Sequence, residues 1–187
     1  MERDREMEFA SVRRRVELSG PDPSWPTAYA GERAAIAEVL GTLARGIEHI
    51  GSTSIPGIRA KPILDVMVGV GSFNQFEDCR SRLEAMGYVY DPLAMQDDPD
   101  RRVFRRGPAD QMLPRTHHLH MTRFGGWYWR RILAFRDHLR RNPRVATDYE
   151  RLKIDLAERF REDGRRYTAG KGAFVREIQA IALKESV

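Results

Sequence analysis

Between Pro62 and Val70 the chain reads Pro-Ile-Leu-Asp-Val-Met-Val-Gly-Val, and one charge, Asp65, interrupts it. A run this apolar, with no polar alternation, predicts a strand covered on both faces, and so a central strand of its sheet. The carboxylate inside it then needs an explanation. An ionised group on a buried strand is costly unless it is paired, hydrogen-bonded or bound to a metal. Ten residues separate Asp65 from His49-Ile50-Gly51-Ser52-Thr53-Ser54, which opens a loop of small residues ending at Gly57. A Gly-Ser turn lets a phosphate approach backbone N–H groups, and the hydroxyls add donors. Asp65 beside such a loop suits Mg²⁺, which takes one or two carboxylates and completes its shell with phosphate oxygens. The alternative is that Asp65 accepts hydrogen bonds from Ser52 or Thr53 and only pins the loop.

The rest of the chain supplies partners for that strand. Residues 1–13 carry charges of both signs and read as a flexible N-terminus; residues 14–187 read as one domain. Arg14 to Leu18 predicts a short strand. Pro21 to Pro26 is turn chemistry, with Asp22 or Ser24 available to cap a helix that carries Trp25, Tyr29, Ile36 and Leu40 inward and Glu32, Arg33 and Glu38 between them. Ile47–Ile50 predicts a strand, and Phe73 to Met86 a helix stopped by Gly87. Tyr88–Asp91, Arg101–Arg106 and Thr116–Thr122 predict further strands. Helices follow over Trp127–Arg141 and from Pro143 onward, then a loop over Gly164–Gly172 and a final helix. Strands in the first two thirds and helices in the last predict an α+β fold: a mixed β-sheet flanked by helices, with a helical C-terminal third.

Composition narrows the function. The one cysteine, Cys79, excludes an internal disulfide and a cysteine zinc cage. With no long apolar run and no signal-peptide pattern, a cytoplasmic protein with no membrane partner is expected. The net charge is +5, and only four of the 32 basic residues are lysines: Lys61, Lys153, Lys171 and Lys184. From Arg101 to Arg144 twelve arginines face two acids, which would concentrate an anionic ligand beside a pocket. Trp127, Tyr128 and Trp129 lie among arginines, but at helical spacing they read as packing residues and not as a nucleic-acid surface.

Several long motifs, taken together, resemble the GrpB-like family. The stretch Glu48-His49-Ile50-Gly51-Ser52-Thr53-Ser54-Ile55-Pro56-Gly57-Ile58-Arg59-Ala60-Lys61-Pro62-Ile63-Leu64-Asp65 is similar to its signature. Asp22-Pro23-Ser24-Trp25 resembles its N-terminal element, His118-Leu119-His120 its histidine strand, and Phe135-Arg136-Asp137-His138-Leu139-Arg140 its C-terminal helix. Tyr149, Leu152, Lys153, Tyr167, Lys171 and Phe174 also match, so the resemblance spans residues 14 to 183. It implies a nucleotidyltransferase fold. It also implies a pocket for a nucleotide or another phosphorylated small molecule, with possible transfer of a nucleotidyl group. In that superfamily the Gly-Ser motif precedes an Asp-x-Asp/Glu pair, and a third carboxylate comes from a later strand. This chain keeps Gly51, Ser52 and Asp65 but has Met67 at the second position and histidines on the later strand, so the metal set is reduced.

On this reading Asp65, Ser52 and His120 are the candidate catalytic residues, with Asp65 holding the metal, Mg²⁺. Gly51, Ser52, Thr53, Ser54, Lys61, Arg105, His118 and Lys171 are the candidate binding residues. His118 and His120 share a strand face. They could contact phosphate, act as acid or base, bind a transition metal with Asp65, or simply be hydrogen-bonded strand histidines. His49 reads as a loop anchor, while His117 and His138 read as structural or solvent-facing. Gly170-Lys171-Gly172 is not a P-loop, because Gly164 is one residue too far upstream and no Ser or Thr follows the lysine. Two other classes stay open: a non-catalytic ligand-binding module of the same fold, and a histidine-based metal-dependent hydrolase.

Overall fold

The computed structural model describes residues 15–95, 98–107 and 115–185. Residues 1–13, expected to be flexible, lie outside them. A five-stranded mixed sheet forms the centre, from β1 (Ala44–Ile50), β2 (Leu64–Val70), β3 (Val89–Tyr90), β4 (Arg101–Arg106) and β5 (His117–Arg123). The spatial order is β1-β2-β5-β4-β3. Only β2 and β5 run parallel; the other pairs are antiparallel. The apolar run is therefore interior, as its composition requires, and Val66, Met67 and Val68 are fully buried.

One face of the sheet packs on α1 (Trp25–Leu40) and α2 (Phe76–Ala85). There Ile36, Leu40, Cys79 and Leu83 meet Val66, Val68, Phe104, Leu119 and Met121 in the main core. Helix α1 starts where proline in its first turn leaves no N–H to satisfy, and it ends at Gly41 in a positive-φ turn. The sequence pattern sets Glu32 outward from α1, yet its residue is only 8% exposed. It is turned in by Tyr88, whose hydroxyl donates to Oε1 at 2.8 Å, and by the Arg106 guanidinium on Oε2. His117 lies 3.6 Å from the same oxygen, which makes it structural.

Helix α3 (Trp127–Arg141) covers the other face. Trp129 drops into a slot cleared by two glycines: a Cβ at Gly46 would lie 2.9 Å from its ring, and one at Gly69 2.8 Å. Helices α4 (Pro143–Arg159), α5 (Gly164–Gly170) and α6 (Gly172–Glu185) complete the C-terminal third. They clamp the small-residue loop, since Ile55 and Ile58 pack with Leu139, Tyr149 and Ile178.

Two local expectations change. Arg14–Leu18, of which 15–18 are described, is not a strand. The Val16 N–H donates to the Arg161 carbonyl, and Ser19 alone pairs with Ala60, so the segment is a strap across the helices. Its apolar residues face Leu156 and Tyr167, not a neighbouring strand. Gly164–Gly172, expected as a loop for its glycines, contains α5. The Asp163 carboxylate caps that helix, accepting from the Arg165 and Arg166 N–H groups at 3.1 and 3.0 Å. Burial of Tyr167 holds it against α4.

Candidate functional site

The last residue pair of β1 and β2 is Ile50 with Asp65. The chain must then leave β1 directly past the Asp65 side chain, and only a residue without Cβ can do so. Gly51 sits at φ 69°, ψ −172°, and a Cβ there would lie 2.2 Å from Asp65 Oδ2. The turn thus presses backbone against carboxylate.

Asp65 shares its sheet face with His118 and His120, because Asp65 registers with His118 and Met67 with His120. His118 Nδ1 lies 3.1 Å from Asp65 Oδ1, and His120 Nε2 lies 3.7 Å from it. Burial alone would push the Asp65 pKa up, but hydrogen bonds from the two histidines overcome this and hold it well below the usual carboxylate range. The His120 pKa is lowered, chiefly by burial. Its Nδ1 lies 3.5 Å from the Tyr128 hydroxyl, which also accepts from Arg101 at 3.3 Å.

Of the four candidate loop residues, Gly51 makes the turn and the other three carry hydroxyls. Ser52 is hydrogen-bonded to the Tyr149 hydroxyl. Thr53 meets His49 Nε2 at 3.0 Å, and Ser54 donates to the Gly51 carbonyl at 2.7 Å. Both Thr53 and Ser54 are buried, so those hydroxyls hold the loop's own shape. His49 is the anchor expected of it: its ring stacks on Tyr29 at 4.5 Å, and its pKa is lowered to about 4, mainly by burial. Arg140 ties the loop from behind, donating to the Ser54 carbonyl at 2.9 Å.

The cations sort in an unexpected way. The arginine-rich stretch is largely occupied within the fold. Arg105 shares the site's face but lies 2.7 Å from Asp91, and Arg106, Arg123, Arg131 and Arg136 meet Glu32, Asp100, Asp98 and Glu48. Lysines approach Asp65 instead. Lys61 and Lys171 each hold their ammonium 4.6 Å from the centroid of the Tyr167 ring. Burial lowers both pKa values and Asp65 partly restores them; for Lys171, with Lys61 also repelling it, the result is about 8. Lys153, 1% exposed, donates to the Arg59 carbonyl behind them.

Tyr149, Tyr167, Lys153 and Tyr128 escaped assignment from sequence: Tyr128 and Tyr149 read as packing residues of their helices, Lys153 as a charge beside the apolar stripe, and Tyr167 as part of an expected loop. Only the rarity of lysine in an arginine-rich chain could have marked Lys153. The position expected of a second carboxylate holds Met67, fully buried against Ile50, Tyr128 and Trp129. Among the described residues no three His, Cys, Asp or Glu side chains are grouped to hold a metal ion. A separate cavity of about 510 Å³ lies on the far side of the loop, lined by Pro21, Trp25, Tyr29, His49, Ser54 and Arg140 among others; it excludes Asp65 and the lysines.

Residues 15–180 match the family model described as GrpB protein. The chain is 36% identical over 156 residues to the glutamate-rich protein GrpB of Alkalihalophilus pseudofirmus, covering 83% of this chain and 88% of that one. The crystal structure of conserved protein GrpB from Enterococcus faecalis superposes with a TM-score of 0.81 at 34% identity, over 91% of this chain and 99% of that chain. A dephospho-CoA kinase of Mycolicibacterium paratuberculosis is 27% identical over 186 residues, a match that spans 87% of this chain and 44% of that enzyme. No helix among the described residues is long and apolar enough to cross a membrane.

Proposed function

The chain belongs to the GrpB family, and we propose that it binds a nucleotide or another phosphorylated small molecule at the Gly51 turn and transfers a nucleotidyl group from it. One observation carries this reading: an ionised carboxylate, Asp65, stands at a Gly-Ser turn with Lys61 and Lys171 beside it. The residues fit one Mg²⁺, since Asp65 keeps an oxygen that the histidines do not take, whereas Met67 leaves no ligand for a second ion. When bound there, Mg²⁺ neutralises charge on the reacting phosphate.

The protein's own residues do the remainder. Ser52 and the loop backbone hold phosphate oxygens, and the lysines balance the charge that collects on the leaving group. An acceptor oxygen attacks the α-phosphorus; the new P–O bond forms as the bond to the bridging oxygen of pyrophosphate breaks. The acceptor's proton passes to His118. With Nδ1 donating to Asp65, that ring keeps Nε2 as a proton acceptor, so Asp65 orients it. His120 is then a positioning residue, fixed between Asp65 and Tyr128.

Thermal shift against nucleoside triphosphates and phosphorylated metabolites, with and without Mg²⁺, tests this directly. A ligand at 100 times its Kd stabilises by about 2.7 kcal/mol. The expected result is a shift that Mg²⁺ enlarges in the wild type and no longer enlarges in Asp65→Ala. The buried Met67 favours a second reading, a binding module without catalysis. A shift indifferent to metal and to Asp65→Ala, with no transfer to any acceptor, selects it.

Binding should also depend on pH in a stated direction. Lys171 titrates near 8 in the free protein. Below that pH it is already charged; above it, an anionic ligand must bring a proton to the site. Affinity is therefore expected to fall by up to about tenfold per pH unit above 8, read by titration calorimetry between pH 7 and 9.5. A flat profile removes Lys171 from the contact set.

A further inference from the structure

We propose that Lys61 and Lys171, backed by the buried Lys153, form a metal-free anchor for the terminal phosphates of the ligand, in place of a second divalent cation. The inference rests on the phosphorylated-ligand reading above and names how the far end of that ligand is held.

Three observations converge. The first is gathering: three of the chain's four lysines meet at one place, although arginine supplies 28 of its 32 basic residues. Lys61 enters from the segment before β2, Lys153 from α4, and Lys171 from the junction of α5 and α6. Lys61 and Lys171 both stand 4.6 Å from the centroid of one ring, Tyr167, so they can be no farther apart than twice that distance. Lys153 lies 5.0 Å from the ring centroid of Tyr149, whose hydroxyl bonds Ser52 in the phosphate-facing turn.

The second is imbalance. Among the described residues none of the three forms a salt bridge, whereas Arg105, Arg106, Arg131 and Arg136 each meet a carboxylate. Lys153 donates to a backbone carbonyl, and the other two rest on an aromatic face. Aromatic faces attract ammonium groups without neutralising them. Asp65 acts on Lys61 and Lys171, and Glu150 on Lys153, so two carboxylates face three lysines. Burial, reinforced by a neighbouring lysine, lowers the pKa of Lys153 to about 7 and that of Lys171 to about 8.

The third is the site's missing acid. Met67 removes the ligand for a second metal on the same strand face. Charge on a leaving pyrophosphate must then be met by the protein, and a compact ammonium does this as a point charge.

The probe is inorganic pyrophosphate, titrated calorimetrically into the full chain at pH 7 in EDTA. Binding is expected without any metal. Lys171→Gln should weaken it at least tenfold, Lys61→Gln similarly, and the double variant about a hundredfold, while Lys184→Gln, outside the cluster, leaves it unchanged. Absence of binding in EDTA overturns the proposal. So does an equal loss in Lys184→Gln, which would mean unspecific attraction to a basic protein. Should Lys171→Gln fail to fold, as judged by circular dichroism, Lys61→Gln and Lys171→Arg carry the test; the arginine variant must recover most of the affinity. The two readings fail separately. A Mg²⁺-dependent nucleotide shift without pyrophosphate binding in EDTA removes the anchor and keeps the transferase. Pyrophosphate binding in EDTA with no response to any nucleotide keeps the anchor and removes the transferase.

Discussion

Gly51→Ala is expected to lower the melting temperature by roughly 5–20 °C and to abolish ligand binding. Two costs add. At φ 69°, ψ −172° the residue occupies a region open essentially to glycine alone, and forcing an L side chain into it costs about 1–3 kcal/mol. The new methyl would also lie 2.2 Å from Asp65 Oδ2 and 2.8 Å from its Cβ. Asp65 cannot swing aside cheaply, because its strand is paired on both sides and its carboxylate is bonded by His118. Overpacking of this kind typically costs about 1–3 kcal/mol. For a chain of this size each kcal/mol moves the melting temperature by about 2–4 °C. Relief must come from opening the turn or displacing Asp65, and either one disorders the carboxylate that the ligand would meet. Gly20→Ala is the control, since its Cβ would meet nothing within 4 Å. A Gly51→Ala protein that melts like wild type and still binds would refute the contact between turn and carboxylate.

The sheet was legible because its signals are local. A run as apolar as Pro62–Val70 belongs in the middle of a sheet, and β4 covers Arg101–Arg106, the basic segment marked by its apolar pair Val103 and Phe104. Helices α3 and α4 start at Trp127 and Pro143, the positions their patterns mark. The C-terminal helix α5 was hidden by its glycines. Gly170 is there for closeness, since a Cβ would lie 2.5 Å from the Leu156 side chain, and a capping aspartate with a buried tyrosine outweighs the poor propensity.

At the site, the spacing from Gly51 to Asp65 is readable as chemistry because both lie on one short stretch of chain. What surrounds them is not. Tyr149, Lys153 and Tyr167 arrive from helices about a hundred residues downstream, and in sequence Tyr149 is one more member of a helical stripe while Tyr167 falls in a glycine-flanked segment that reads as a loop. The arginine-rich stretch misled for the complementary reason: charge adds along a sequence, but ion pairs form across space. Arg105 and Arg106 meet Asp91 and Glu32, so a run that looks like an anion trap largely braces the fold.

Glu32→Ala, the second large effect, separates that bracing from the site. The Glu32 carboxylate accepts from the Tyr88 hydroxyl and the Arg106 guanidinium, and it lies 3.6 Å from His117. Removing it strands a guanidinium and a hydroxyl between α1 and the sheet. Breaking a buried pair from one side costs about 3–5 kcal/mol. Arg106 keeps 22% of its side chain in water, so a loss of about 2–4 kcal/mol is expected, or roughly 4–16 °C in melting temperature. Glu32→Gln, which can still accept from Tyr88, should lose less. Ligand affinity at a temperature where both proteins are folded should stay within about twofold of wild type. His117 and His118 are adjacent on β5 and point to opposite faces, so the Glu32 network and Asp65 lie on opposite sides of the sheet. Affinity falling in step with stability would show that the two faces are coupled through β5. Stability unchanged would show that the carboxylate, although buried, is not what ties α1 to the strands.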